Sequence, residues 1–243
     1  MRLFGLLLAL FGESEIFSQD LVFGCIASNG PPYYLGSITN LEGGIFYDIA
    51  WAVARKLGVK ARFVEIPRRR LEEKLHEGAY NIIPIFHPDW SEFPNRLIFS
   101  PPLVEERNVL IAPPEYAEKI LGLDNLHGKT IGGIRGYIYN PIFQKGVEEG
   151  LYAREDVSDH RTNFEKLLLG RVDGFIIPDL IADYIFKTNP PYRQLKIAPY
   201  ILSDQYIHWA FSIQNRPFAD QVSQALQELL DQGEIGRILS RYR

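Results

Sequence analysis

The chain has 243 residues and a formal net charge of −4, and its 46% hydrophobic and 23% charged residues are typical of a globular protein with a full core, in one large domain or two small ones. The acidic balance, without Lys/Arg runs interleaved with aromatics, argues against nucleic-acid binding. One cysteine, Cys25, and five histidines without H-x-x-x-H spacing exclude an internal disulfide and give no signal for a metal, and no motif indicates a cofactor.

The first residues are typical of an export signal. Arg2 precedes the apolar run of residues 3–12, which is too short to span a bilayer, and polar residues follow it. We therefore predict a signal peptide over residues 1–19, cut after Ser14 or Gln19, and a periplasmic mature protein in a Gram-negative-type envelope. A short buried helix is the alternative interpretation of this segment.

The next part of the chain alternates strands with helices. Residues 21–27 are a continuous apolar run, which predicts a strand buried on both faces. Residues 45–57 carry apolar side chains on one face and predict a helix. Residues 60–66 and 81–86 are two further strands, and residues 67–78 between them predict a second helix. This order predicts a parallel sheet covered by helices.

The same alternation starts again in the second half of the chain. Residues 130–134 and 172–177 predict strands, and residues 141–149 and 164–169 predict helices. The two halves also share a helix–glycine–strand motif, which indicates two similar lobes. Its two copies are Leu75-x-x-Gly78-x-x-Asn81 and Leu167-x-x-Gly170-x-x-Asp173.

Two further predicted strands, residues 108–112 and 206–212, flank the second half. If the chain crosses and returns along them, the amphipathic helices after Phe218 belong to the first lobe. We therefore predict an α/β protein in which two α/β lobes are joined by two hinge strands, with a ligand crevice between them. The predicted boundaries are 20–111 with 207–243 for the first lobe, and 112–206 for the second.

Several short motifs follow one another along residues 21–243. They are Pro31-Pro32-Tyr33-Tyr34, Gly43-Gly44-x-x-x-Asp48, Leu75-x-x-Gly78-x-x-Asn81, Phe99-Ser100-Pro101-Pro102, Gly128-Lys129-Thr130-Ile131-Gly132 and Gly170-Arg171-Val172-Asp173. In order and spacing they resemble the bacterial extracellular solute-binding proteins of family 3, the receptors of polar amino-acid ABC importers. The resemblance implies a type II periplasmic-binding-protein fold, a small polar ligand, a membrane permease as partner and no chemistry on the ligand. We expect a monomer.

Two positions depart from the pattern of that family. Members that hold α-amino acids usually carry a carboxylate-binding Arg six residues before the Phe-Ser pair, where this chain has Phe93; Arg96 lies nearby in a different register. They usually carry an ammonium-binding Asp five residues after the Val-Asp aspartate. Pro178 occupies that position here, and Asp179 follows it. The resemblance therefore implies a binding protein without identifying its ligand.

Aromatic candidates for the ligand site follow two predicted strands of the first lobe. Tyr33 and Tyr34 come after the Pro-Pro loop, and Phe86, His87 and Trp90 follow the third strand. Aromatic walls with polar tips suit a small amphipathic ligand, and we expect one of the two tyrosines to face the cleft. His87 has an alternative role as a capped loop residue.

Charged candidates in the first lobe are Arg70 and Glu42. Arg70 starts the helix that we expect to point at the cleft, and its guanidinium is a fixed fork for a carboxylate. Arg68 and Arg69, in the same basic run, are expected at the surface. Glu42 can accept a hydrogen bond from an ammonium group. For Arg70 and Glu42 a solvated loop charge is the alternative.

The second lobe supplies a strand-to-helix loop with Arg135, Gly136 and Tyr137, where free backbone N–H groups favour an anionic ligand group. Asp179 follows the last predicted strand of this lobe, and either contacts the ligand or caps the next helix. Tyr206 lies on the returning hinge strand, which we expect to border the cleft.

These residues predict a non-catalytic receptor that closes its lobes over a small amino-acid-like or carboxylate-bearing solute. One alternative is an enzyme related to cyclohexadienyl or arogenate dehydratases, in which Glu42 or Asp179 would be the general acid. A sensory binding module without a transporter is a third hypothesis. Nucleophilic catalysis has little support, because the chain has no G-x-S-x-G motif.

Overall fold

The computed structural model describes residues 19–242, so nearly all of the predicted signal peptide lies outside the described residues. The first half folds in the order β1 (Leu21–Cys25), β2 (Leu35–Ser37), β3 (Asn40–Gly43), α1 (Ile45–Leu57), β4 (Ala61–Glu65), α2 (Leu71–His76), β5 (Ile83–Phe86) and β6 (Leu97–Phe99). β1 pairs in parallel with β4, and a parallel bridge from Phe23 to Ile82 places the start of β5 on its other side. These elements, with α7 and α8 below, are called the first lobe.

The chain continues with β7 (Val104–Ala112), α3 (Pro114–Ala117), β8 (Thr130–Ile134), α4 (Pro141–Glu148), β9 (Ala153–Val157), α5 (His160–Leu168), β10 (Gly174–Pro178), α6 (Asp179–Thr188), β11 (Lys196–Ser212), α7 (Arg216–Asp231) and α8 (Glu234–Leu239). β10 lies between β7, to which it is antiparallel, and β8, to which it is parallel; β9 extends the sheet beyond β8. The elements from α3 to α6, with the ends of β7 and β11 that pair beside them, are called the second lobe.

The two lobes share the long strand β11. It pairs antiparallel with β7 from Lys196 opposite Ala112 to Ile207 opposite Val104. Its last residues pair with β5 and β6 of the first lobe. The hydrogen-bonded ladder is therefore continuous from one lobe to the other, and the crossing lies within the β7–β11 pair. The residue at which each lobe begins stays a prediction.

The C-terminal helices pack against α1 of the first lobe. The apolar face of α7 is buried, and α7 and α8 both pack against α1. Tyr242 joins the C-terminus to the start of α1. Its hydroxyl lies 2.9 Å from Asp48 Oδ2 and accepts a hydrogen bond from Gly44 N at 2.9 Å. α1 ends at Leu57, and the next residue, Gly58, has a φ of 71°, which lies in the left-handed region that glycine adopts without strain.

The helix predicted from residue 67 differs from the structure in its first turn. Residues Arg68–Arg70 form a 3-10 turn, and the α-helix starts only at Leu71. Successive side chains of a 3-10 turn point about 120° apart, so neighbouring arginines of this run face different surroundings. Within residues 19–242, no helix is both long enough and apolar enough to cross a membrane.

Candidate functional site

The two lobes meet around a small cavity, here called the inner chamber. Its volume is about 30 Å³, which is room for about two water molecules. Both lobes and both crossing strands contribute to its wall. The lining residues are Asn29, Tyr33, Arg68, Ile85, Trp90, Glu106, Asn108, Tyr137, Ile138, Tyr139 and Pro178.

Arg68 holds a positive charge in this wall. Its guanidinium carbon lies 5.6 Å from the ring centre of Trp90 in the first lobe and 5.5 Å from that of Tyr137 in the second. Burial lowers the pKa of Arg68. Among the described residues, no ion pair or hydrogen bond engages this guanidinium. The inner chamber therefore contains a largely desolvated cation between two ring faces, with Glu72 acting on it electrostatically and with its N–H donors free of any described residue.

Glu106 places an acid in the same wall, with its side chain only 3% exposed. The hydroxyl of Tyr33 donates to Oε2, and Gln205 Nε2 donates to Oε1 at 3.1 Å. Burial raises the pKa of Glu106 to about 7, although both hydrogen bonds act in the opposite direction. No cation among the described residues offsets this charge, so Glu106 is a carboxyl group that titrates near neutrality.

A direct contact joins the lobes beside the inner chamber. The Tyr137 hydroxyl, in the second lobe, donates to Asn29 Oδ1 of the first lobe at 2.9 Å. Behind Tyr137 lies the ring of His160, edge-on at 6.2 Å. Burial lowers the pKa of His160 to about 4, and neither of its ring nitrogens has a hydrogen-bond partner among the described residues. The cleft is closed in this structure.

Arg154 holds the loop that carries Tyr137. Its guanidinium donates to the carbonyl oxygens of Ile134 and Tyr137 at 3.2 and 3.1 Å, and also pairs with Asp156 at 2.7 Å. The same guanidinium lies 4.7 Å from the ring centre of Tyr139. The planar guanidinium of Arg154 thus fixes both the backbone of this loop and the ring of Tyr139, so Tyr137 is already positioned in the absence of a ligand.

A second cavity, the outer chamber, continues from the inner one along the cleft. It measures about 360 Å³, a size suited to a small organic ligand. Trp90, Asn108, Ile138 and Tyr139 line both chambers. The remaining wall of the outer chamber consists of His87, Asp89, Asn140, Pro141, Ser203, Asp204 and Gln205.

Two other cavities are present. One of them, the largest of the four described, has about 540 Å³; it is lined by the first lobe next to Gln19, where the described residues begin, and shares no lining residue with the cleft chambers. Another, of about 240 Å³, lies between the lobes on the far side of Asn29 and is mainly apolar. Neither combines buried charges of both signs, so the inner and outer chambers are the candidate site.

Several residues predicted from the sequence do line the cleft. Tyr33 and Tyr137 line the inner chamber, His87 the outer one and Trp90 both. Gly136 stands against the stem of Arg68: a Cβ on it would lie 3.8 Å from Arg68 Cγ. His87 also caps its own turn, because its Nδ1 accepts from Asp89 N at 3.2 Å.

Other predicted residues lie elsewhere. Tyr34 and Phe86 are buried in the core of the first lobe. Tyr34 accepts a hydrogen bond from the Cys25 thiol, whose pKa burial raises to about 12. Four predicted residues are exposed and line none of the four cavities: Glu42, Arg70, Arg135 and Tyr206.

The arginines of this run lie differently from the prediction. Arg68, expected at the surface, lines the inner chamber, so that expectation is wrong. Arg70, expected in the cleft, is half-exposed and pairs with Glu73, 3.5 Å away on α2. The two side chains face different surroundings because two steps along the 3-10 turn rotate the side chain by about 240°.

Asp179 is the first residue of α6, directly after the N-cap residue Pro178. Its Oδ1 accepts from Leu180 N at 2.9 Å and from Arg107 N at 3.2 Å. Burial raises the pKa of Asp179 despite these bonds. The carboxylate thus joins the first turn of α6 to strand β7 without being the N-cap, and both roles expected from the sequence stay predictions.

Sequence reasoning missed Asn29, Glu106, Asn108 and Gln205. In β7 the buried and exposed residues alternate from Val104, so Glu106 shares the inward face with Val104 and Asn108. The sequence carries no signal of this, because residues 105–108 are all polar. For Gln205 the signal is absent, because its role depends on pairing with Glu106 across the β7–β11 ladder.

A model of the bacterial extracellular solute-binding proteins, family 3, matches residues 22–243. No curated protein sequence matches the chain. Among solved structures, an ancestral arginine-binding protein bound to arginine superposes with a TM-score of 0.77 at 22% identity, covering 92% of this chain and 97% of the other.

Two further structures are similar. A substrate-binding protein of an amino acid ABC transporter from Streptococcus pneumoniae, bound to L-arginine, has a TM-score of 0.74 at 18% identity, covering 92% and 94% of the two chains. An ancestral amino acid-binding protein, a precursor of cyclohexadienyl dehydratase, has a TM-score of 0.74 at 17% identity, covering 92% of this chain and 95% of the other. At such identities the likeness shows the fold, which is the predicted type II periplasmic-binding-protein fold.

Proposed function

Because the chain belongs to the bacterial extracellular solute-binding proteins of family 3, we propose that it captures a small carboxylate-bearing solute between its lobes and delivers it to an ABC importer. The family supports a solute-binding role and an extracytoplasmic site of action. The S. pneumoniae structure, a substrate-binding protein of an amino acid ABC transporter, supports the same kind of ligand and partner for this chain.

One observation carries the choice of a carboxylate, namely the free guanidinium of Arg68. A buried charge without a hydrogen-bonded counter-ion is costly, and burial already lowers the pKa of this group. A carboxylate accepts two parallel N–H bonds from an arginine fork, and the rings of Trp90 and Tyr137 hold that fork in place. Arg68 would thus replace the carboxylate-binding arginine that the family usually carries at the position of Phe93.

Binding must involve opening of the lobes. The inner chamber, at about 30 Å³, is too small for an organic solute in the closed form, while the outer chamber of about 360 Å³ lies beside it. A solute would enter with the lobes apart, place its carboxylate against Arg68 and extend toward the outer chamber as the lobes close. Motion about two crossing strands is the usual form of such closure.

The experiment is a thermal-shift screen of the mature protein against amino acids, dicarboxylates, short peptides and polyamines, followed by calorimetry. A ligand at 100 times its Kd adds about 2.7 kcal/mol of stability. Arg68→Gln should weaken binding of a carboxylate hit roughly 30-fold or more. Arg70→Gln, on the same turn but outside the cavities, is the matched control and should leave affinity unchanged. A panel without any binder, or equal losses in both variants, would refute the proposal.

A second candidate function follows from Glu106. A carboxyl group with a pKa of about 7 in a closed chamber can donate its proton to a leaving hydroxyl, which departs as water. This keeps the dehydratase alternative open, with Glu106 in place of Glu42 and Asp179. Incubating the pure protein with prephenate or arogenate, whose aromatisation expels water and carbon dioxide, decides it: turnover lost in Glu106→Gln supports an enzyme, and no turnover supports the receptor.

A further inference from the structure

Glu106 is a buried acid that the closed structure leaves without a cation. Its side chain is 3% exposed, and its two oxygens accept from Tyr33 and from Gln205. Neutral donors of this kind offset only part of the cost of burying a carboxylate. The negative charge of a carboxylate in this environment is neutralised either by a proton or by a cation that comes from outside the protein.

The groups around Glu106 offer no such charge. Tyr33 faces it from the loop after β1, Tyr137 from the loop after β8 and Asp179 from the start of α6. Gln205 faces it from β11. Arg107, the next residue on β7, points to the other face of the strand, where it lies 3.8 Å from Glu105 and 3.9 Å from Asp179.

Glu106 and Arg68 line the same chamber, and among the described residues neither of them forms an ion pair, although Glu72 acts on Arg68 electrostatically. They are not close enough to form an ion pair with each other. Two separated charges of opposite sign in one cavity, neither of them ion-paired, are complementary to a molecule that carries both signs.

We propose that Glu106, on the crossing strand β7, is the ammonium-binding residue of this site and restricts its ligand to zwitterions that carry an ammonium group beside the carboxylate. This inference rests on the proposed function. Glu106 would take the role for which Pro178 is unsuited, since Pro178 stands where the family usually has its ammonium-binding aspartate, and the adjacent Asp179 already accepts hydrogen bonds from Leu180 N and Arg107 N.

The test compares matched pairs of solutes that differ only in the ammonium group: L-alanine with propionate, L-glutamate with glutarate, and L-phenylalanine with 3-phenylpropanoate. Calorimetry at pH 8 should show the amino member of the bound pair favoured roughly 30-fold or more. Glu106→Gln should abolish that preference. Glu105→Gln, which changes the exposed acid next to it on β7, is the matched control and should keep the preference.

Proton release gives an independent readout in the intact protein. At pH 6, where Glu106 is mostly protonated, an ammonium group must displace the proton, so affinity for the amino member should fall up to tenfold per pH unit below 7. Titrations at pH 6 in buffers of different ionisation enthalpy should detect close to one released proton, absent in Glu106→Gln.

The outcomes separate the two proposals. If no solute of any pair binds, the proposed function fails. If solutes bind but propionate, glutarate or 3-phenylpropanoate binds with the same affinity as its amino partner, the role of Glu106 is overturned and the proposed receptor function stands. The same conclusion follows if Glu106→Gln keeps the preference for the amino member. Circular dichroism of the variant checks that it folds, and the proton-release measurement on the unmodified protein decides the question if the variant does not.

Discussion

At the scale of single residues, the cleft is built from groups whose ionisation opposes their burial. Glu106 is nearly inaccessible and uncompensated, and burial raises its pKa to about 7. His160, behind Tyr137, is buried with both ring nitrogens unpartnered among the described residues, and burial lowers its pKa to about 4. Their effects on stability run in opposite directions with pH.

The Glu106 effect has a defined sign. The folded protein holds the Glu106 proton up to about pH 7, whereas the unfolded chain loses it near 4.5, so stability contributed by this group falls as pH rises between these values. A shift of this size corresponds to about 3 kcal/mol. The free energy of unfolding of Glu106→Gln minus that of the unmodified protein should therefore rise by about 3 kcal/mol from pH 4.5 to pH 8. Urea unfolding of both proteins at the two pH values measures this difference.

The difference between the two proteins is the quantity to measure, because His160 contributes the opposite slope to both. A neutral buried histidine stabilises the fold above pH 6.5, and that contribution is lost as pH falls toward 4. It cancels when Glu106→Gln is compared with the unmodified chain. A difference that stays flat across this range would contradict the assignment.

At the scale of elements, the loop between β8 and α4 depends on a distant side chain. Arg154 on β9 binds two carbonyl oxygens of this loop and stacks on Tyr139. The loop therefore keeps its shape without regular structure of its own, and this fixes the direction of Tyr137 in the cleft.

Arg154→Lys keeps the charge but removes the fork, so two buried carbonyl groups lose their donors. We expect a loss of about 1–2 kcal/mol in the free energy of unfolding, together with faster amide hydrogen exchange within residues 134–139. Arg161→Lys is the control, since its pair with Glu165 is exposed at 80% and 53%; such a pair contributes roughly 0.5 kcal/mol or less. Equal losses in the two variants would contradict the role of Arg154.

At the scale of the whole molecule, the closed form is held by contacts that do not need a ligand. Tyr137 bridges to Asn29, and Arg68 lies between rings of both lobes. The shared strand β11 keeps the lobes in one ladder, so opening must bend the β7–β11 pair while the lobes keep their own packing.

Removing the bridging hydroxyl should move the ligand-free protein toward the open form. Tyr137→Phe loses one hydrogen bond, about 1 kcal/mol, which is roughly a fivefold change in the ratio of open to closed molecules. Small-angle X-ray scattering should report a larger radius of gyration than for the unmodified protein. Tyr152→Phe, whose hydroxyl bonds Phe143 O within the second lobe, is the control and should leave it unchanged.

The sequence alone determined the alternation of strands and helices, although β7, α5 and β11 begin earlier than predicted and α6 was not predicted. Residues 130–134 form the strand that their apolar pattern predicts, and α1 ends before Gly58 because glycine alone adopts its left-handed conformation without strain. The hairpin β2–β3 and the charged strand β9 carried no comparable pattern, and they form because neighbouring segments complete their hydrogen bonds.

Only the tertiary structure decided which polar side chains share the cleft. Arg68 and not Arg70 lines the inner chamber, and Tyr34 packs in the core while Tyr33 reaches Glu106. Local sequence sets the period of an element, but the phase of a turn and the pairing of distant strands follow from packing across the whole chain. The charges of the site meet through those long-range contacts, which no stretch of sequence contains by itself.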